Sequence, residues 1–268
     1  MAPSRRTFLA AAAATLTAAC TEQAAQPVGP AATAPTRPVS STTPTTAGRV
    51  AATATPSTRV ETKPAEVVFA GPRTGGQIAL TFHLSGDPAL VSRLLDIAAQ
   101  AGVPISLFAV GRWLADHPSL VRRILADGHE LDNHTWSHPV LGRLDSPAVA
   151  TEIRRCQAAL TRATGSGGRY FRPSGMTQPS PPVLAEAGAA SYPLVVAFDV
   201  DPRDYTDPGA DAVTARVAAG LRPGSIVSLH TGHADTIAAL APILAAARAR
   251  GLQPVPLHQL LASMPSAP

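Results

Sequence analysis

From Gln77 onward, short apolar runs alternate with segments of helical period. That alternation constrains the fold of the 268-residue chain more than any other feature. Strands are predicted at Gln77–Phe82, Ile105–Val110, Glu130–Asn133, Tyr170–Arg172, Leu194–Phe198, Ser225–Leu229 and Gln253–Val255. Helices are predicted at Pro88–Ala101, Pro118–Asp127, Ser146–Ala163, Pro182–Ala187, Ala210–Leu221 and Thr236–Arg250. Alternation of this kind calls for an α/β fold with a parallel sheet, and seven repeats fit a distorted (β/α)7 barrel better than an eightfold one. Ser146-Pro147 reads as a helix start, with Ser146 as N-cap. Gly128 and Gly251 fall just past helices, where a left-handed cap is needed. His83, His134, Arg172, the segment Asp199 to Asp204, and His230 all sit at the C-terminal ends of predicted strands. In parallel barrels that end carries the active-site loops.

The N-terminal quarter has a different character. Ser4-Arg5-Arg6-Thr7-Phe8-Leu9 and the apolar run to Ala19 read as a twin-arginine export signal over residues 1–19. The run is about a dozen residues, against about 20 needed to span a bilayer. Leu16 to Cys20 resembles a lipoprotein cleavage site, which would leave a lipidated Cys20 as a membrane anchor. The alternative is an ordinary signal peptide with an incidental Cys20, and both place the protein outside the cytoplasm. Residues 20–76 are rich in Ala, Thr, Pro and Ser with no hydrophobic period, and read as a disordered linker. Extended, it would reach on the order of 150 Å. Cleavage before Cys20 removes Arg5 and Arg6 and takes the formal charge from +4 to +2. With no basic clusters besides, nucleic acid is excluded as a partner. Cys156 is the other cysteine, expected as a small core residue on a helix. The domain expected over 77–265, about 190 residues, can bury enough apolar surface without a disulfide.

The chemistry centres on His134 and His138. On a helical turn, i and i+4 share a face roughly 6 Å apart at Cβ, close enough for two imidazoles to hold one ion. Pro139 should end that turn and leave the pair at a loop edge. Together with three later segments, this one resembles the polysaccharide deacetylases of the NodB-homology kind, carbohydrate esterase family 4, over Gln77–Leu261. His134, Thr135 and His138 match the second family motif, H-[ST]-x-x-H. Phe171-Arg172-Pro173-Ser174 partly matches the third, Asp201 to Asp204 with Tyr205 the fourth, and Ser228-Leu229-His230 the fifth. The first motif departs. Where the family has T-F-D-D-G-P, with a base Asp and a metal-ligand Asp, this chain reads Thr81-Phe82-His83-Leu84-Ser85-Gly86-Asp87-Pro88.

The resemblance implies a metal-dependent hydrolase that removes acetyl groups, N-linked before O-linked, from cell-envelope polysaccharide. It would act as a monomer with one divalent ion, Zn first among candidates. His134 and His138 are the implied metal ligands. The third ligand is open: Asp87, bent back on a flexible Ser85-Gly86 loop with His83 as base, or His83 itself in a three-histidine site. His230 matches the general acid, Asp201 the carboxylate that pairs with it, and Arg172 the residue that orients the base. Ser174, Tyr205 and Leu229 fall at positions expected to bind substrate. His233 is an extra candidate beside a helix N-cap reading, Trp113 is expected at the barrel rim, and Asp132 as structural. A competing reading, resting on the altered first motif, is a catalytically impaired glycan-binding envelope lipoprotein on the same barrel.

Overall fold

The computed structural model describes residues 62–262 and Met264. The export signal, Cys20 and the linker as far as residue 61 lie outside the described residues. Among the described residues no helix is long and apolar enough to cross a membrane.

The fold is an α/β barrel built on β2 (Gln77–Leu84), with β1 (Glu66–Val68) preceding it. Every residue of β2 from Ile78 to Leu84 is buried, as expected of a central parallel strand covered on both faces. The helix α1 (Pro88–Ala101) leads to β3 (Ser106–Ala109); α2 (Gly111–Asp116) and α3 (Pro118–Ala126) lead to β4 (Glu130–Asn133). Then come α4 (Ser146–Thr164), α5 (Pro181–Ala189), β5 (Leu194–Val196), α6 (Ala210–Gly220), β6 (Ile226–His230), α7 (Ala234–Ala249), β7 (Gln253–Pro254) and α8 (Leu257–Leu261). The parallel order β4-β3-β2-β6 forms one run, and β7 pairs with the start of β2. Single parallel bridges continue it: Phe171 joins Asn133 on β4 to Val195 on β5, and Val200 returns to Val227 on β6. The strands therefore follow one another round the distorted barrel that the strand–helix alternation implied.

Three features differ from expectation. Folded structure starts before Gln77, because β1 pairs in parallel with β5 and buries Ala65 and Val68. Three strand residues inside Ala/Pro/Thr-rich text give too short a hydrophobic pattern to stand out. The cap of α4 is Asp145, whose side chain accepts from Ala148 N, and Ser146 is already inside the helix. The stretch 170–172 contributes only the bridge at Phe171, and α2 and α8 are additional elements.

The core lies between the strands and the helices, where Leu80, Phe82, Leu94, Leu107 and Leu229 are wholly buried. Truncating such a leucine to Ala costs about 2–5 kcal/mol. Cys156 is buried on α4, and burial pushes its thiol up to about 12, so it stays an inert thiol.

Candidate active site

Five imidazoles line up across the C-terminal end of the barrel. The rings of His83 and His134 are 4.2 Å apart, His134 and His138 4.9 Å, His83 and His230 4.3 Å, and His230 and His233 6.1 Å. The sheet sets this up. His83 and His230 are register partners on the neighbouring parallel strands β2 and β6, and His134 directly follows β4. Side chains alternate along a strand. Thus Ser228 and His230 face a cleft of about 580 Å³, while Leu229 between them points into the core.

His134 and His138 meet without a helical turn. The segment is a loop in which Thr135 (φ 70°) and His138 (φ 61°) take left-handed backbone conformations. Buried groups hold it there. Thr135 N donates to Asn133 Oδ1 at 2.9 Å, and Thr135 Oγ1 donates to Ser174 Oγ at 3.1 Å. The Ser174 hydroxyl in turn donates to the carbonyl of Pro139. Ser174 is therefore a clamp on the histidine loop, fully buried and out of contact with the cleft.

The nitrogens of His83, His134 and His138 come within 4.8 Å of one another. His134 Nδ1 donates to the carbonyl of Arg172 at 2.9 Å, which leaves the Nε2 lone pair free. That Nε2 is buried without a hydrogen-bond partner. A buried bare acceptor is costly, and a metal ion is a partner its chemistry fits. Burial, then neighbouring imidazoles, push the pKa of His83 and His134 well below the usual histidine value. His138 at the rim is also lowered, by its partial desolvation and by His230. All three shifts favour the neutral ring, the form in which an imidazole ligates.

Asp87 does not join them. Its carboxylate caps α1, accepting from Ala89 N at 2.8 Å, and the residue is exposed. Nor is the Ser85-Gly86 loop free to bend back. Trp113 Nε1 donates to Gly86 O at 2.9 Å, and Ser85 N donates to Thr231 Oγ1 at 3.0 Å. Gly86 also packs against Gly232, where an added Cβ would lie 2.7 Å from the Gly232 Cα. Of the two arrangements left open by the sequence, only the three-histidine one has its groups together.

On the other side of His83, His230 is held by Asp204 rather than Asp201. Asp204 accepts from His230 Nδ1 at 2.8 Å, from His230 N at 2.7 Å and from Thr236 Oγ1 at 2.6 Å. Burial works to raise its pKa, but these bonds and the His230 imidazole outweigh it and hold the carboxylate below its ordinary range. Asp201 is exposed at the cleft edge and accepts from Arg203 N at 2.8 Å, a local turn. Both aspartates of the D-x-x-D pattern were visible in the sequence; which one faced β6 depended on the turn between them.

Arg172 lies beneath the site, not in it. Its guanidinium donates to Thr81 Oγ1 (2.8 Å), Val196 O (2.9 Å) and Ala197 O (3.1 Å), and sits 4.1 Å from the Phe108 ring centre. Burial lowers its pKa to about 9. It orients no base directly; it ties β2 to β5 and presents its carbonyl to His134. Ser228, which the sequence reading missed, brings its hydroxyl to 3.3 Å from His83 Nε2. Tyr205, 47% exposed, stands edge-on 5.3 Å from His230 at the cleft mouth.

The family model for polysaccharide deacetylases matches residues 70–192. A chitooligosaccharide deacetylase of Bradyrhizobium sp. (strain ANU 289) is 35% identical over 200 residues, covering 68% of this chain and 90% of the relative. Among solved structures, a peptidoglycan N-acetylglucosamine deacetylase superposes with a TM-score of 0.69 at 26% identity, over 75% of this chain and 95% of that one. The family 4 carbohydrate esterase of Streptomyces lividans, in complex with acetate, gives 0.60 at 30% identity over 67% and 92%. The chain belongs to the polysaccharide deacetylase family, a family of metal-dependent hydrolases on a (β/α)7 barrel.

Proposed function

We propose that this chain hydrolyses the N-acetyl groups of a cell-envelope polysaccharide containing N-acetylglucosamine, with one divalent ion, Zn, held by His83, His134 and His138. The observation that carries this reading is the buried, partnerless Nε2 of His134 in a cluster of three imidazoles. Zinc accepts three imidazoles and keeps a fourth position open. When bound, the ion supplies Lewis acidity toward the acetyl carbonyl and the attacking water.

The remaining steps belong to the chain's own groups. Asp204 occupies His230 Nδ1, so Nε2 is the atom that exchanges a proton with the cleft. With His83 in the ligand set, His230 first takes the proton of the attacking water. It then delivers that proton to the amide nitrogen as the C–N bond breaks, so that a neutral amine leaves. The ionised, buried Asp204 stabilises the imidazolium between the two transfers. Tyr205 offers an aromatic edge to the sugar ring.

The substrate class follows the names of the relatives, chitooligosaccharide and peptidoglycan N-acetylglucosamine deacetylases. Export through the twin-arginine signal and anchoring by a lipidated Cys20 complete the proposal, the linker giving the domain reach into the envelope. The test is metal content and acetate release from chitotetraose and from peptidoglycan. One equivalent of metal and acetate released from either glycan support it. Stoichiometric metal without acetate from either would favour the glycan-binding alternative, whose own observation is Leu84 where the family places a ligand.

A further inference from the structure

His233 and Asp207 reproduce the His230–Asp204 pair three residues further along both segments. His233 Nδ1 lies 2.8 Å from Asp207 Oδ1, and its ring lines the same cleft 6.1 Å beyond His230. We infer that His233, held by Asp207, is a specificity-determining contact that accepts a hydrogen bond from a hydroxyl of the acetylated sugar, an inference that rests on the deacetylase reading.

Three observations bear on it. His233 occupies the N-cap position of α7 yet makes no capping bond, so the ring is not there to finish the helix. The pair is open to solvent, at 27% and 63% side-chain exposure, and exposed pairs of this kind add little to stability. Yet Asp207 is presented on a left-handed backbone (φ 48°), as is Arg203 (φ 53°) at the other end of the same turn. The turn thus aims Asp207 at His233, and a pair held so without a return in stability points to use of the His233 ring in the cleft.

The chemistry selects the ligand. Donation of Nδ1–H to Asp207 fixes the tautomer with a lone pair on Nε2, which has no protein partner among the described residues. The acetyl carbonyl belongs at the three-histidine cluster and the amide nitrogen at His230. The sugar ring then extends outward from that nitrogen, and hydroxyls on flanking carbons meet the next group along, His233. Asp201 and Asp207 on the same side disfavour an anionic substituent. Sites that hydrogen-bond a substrate hydroxyl discriminate strongly against compounds lacking it.

The test compares kcat/KM on chitotetraose with that on 4-nitrophenyl acetate, an acetyl ester without a sugar, for the metal-loaded full chain. In His233→Ala the ratio of glycan to ester activity is expected to fall at least about tenfold, chiefly through KM. His233→Gln, whose side-chain carbonyl can accept the same hydroxyl, should recover part of it, and Asp207→Asn should fall between. Thermal midpoints should stay within about 2 °C of wild type. Equal losses on both substrates, or no recovery in His233→Gln, would overturn the inference. If His233→Ala does not fold, His233→Gln and Asp207→Asn decide by the same ratio. Should the wild type release no acetate from any glycan, the deacetylase reading fails by itself. Calorimetric binding of chitotetraose to the metal-free chain then decides for His233: weakened in His233→Ala supports the contact, unchanged removes it.

Discussion

The C-terminal ends of β2 and β6 are neighbours in register, His83 beside His230, and they differ in what holds their histidines. At the β2 end the two carboxylates of the family motif are gone. An imidazole and Leu84 stand in their places, and the next carboxylate, Asp87, is spent on capping a helix. At the β6 end carboxylates are plentiful, with Asp204 on His230 and Asp207 on His233. Carboxylates therefore hold the rings of His230 and His233, while among the described residues none bonds to His83, His134 or His138. Under the proposed function, a site of imidazoles alone would leave the ion its whole charge, which favours Lewis acidity, and proton transfer would fall to His230 and Asp204 across the cleft.

The largest effect is expected at His134, a proposed metal ligand. His134→Ala should abolish both metal retention and acetate release, read by elemental analysis and product assay; stoichiometric metal in this variant would break the comparison at its ligand side. His230→Ala should keep the metal and lose about 10²- to 10⁴-fold in turnover, the usual range for a general acid–base group. Loss of metal in that variant would mean that the two sides are not separable.

An intermediate effect concerns acid. His83 and His134 have folded pKa values below the unfolded value of about 6.5. Between the two values the unfolded chain binds protons that the folded chain refuses, so stability rises with pH there and is lost on acidification below about 6.5. The metal-free protein should lose at most about 1.4 kcal/mol per pH unit for each ring, and His83→Phe should flatten the slope. Asp204 adds a lower window: its depressed pKa stabilises the fold above the ordinary carboxylate range and is lost as pH falls through the folded value. Urea titrations across pH check both. The smallest effect is Asp87→Ala, expected to cost about 1 kcal/mol as a lost cap, roughly 2–4 °C in thermal midpoint, with metal content unchanged.

Much of this was legible in the chain. Periodicity located α1 to the residue and β2, β3, β4 and β6 to within two residues, because long amphipathic and apolar runs carry their own signal. It failed at β1, where three residues pair only because β5 lies beside them. In the site, residue types and order pointed to His134, His138 and His230, which the fold brings into one cluster with His83, whereas their partners depended on turns the sequence does not spell out. A three-residue turn put Asp204, not Asp201, on His230. Strand alternation sent Leu229 into the core, and burial put Arg172 and Ser174 behind the histidines rather than among them. The loop at His134–His138 joined its imidazoles through left-handed residues, a geometry that a helical reading of the spacing cannot supply.

In the proposed metal site His83, not a carboxylate, completes the ligand set. X-ray absorption at the zinc edge, on wild type, His83→Ala and Asp87→Ala, tests it most directly. Three imidazole ligands in the wild type, two in His83→Ala and an unchanged spectrum in Asp87→Ala are the expected results. A carboxylate ligand that disappears in Asp87→Ala, with the His83→Ala spectrum unchanged, would contradict the account.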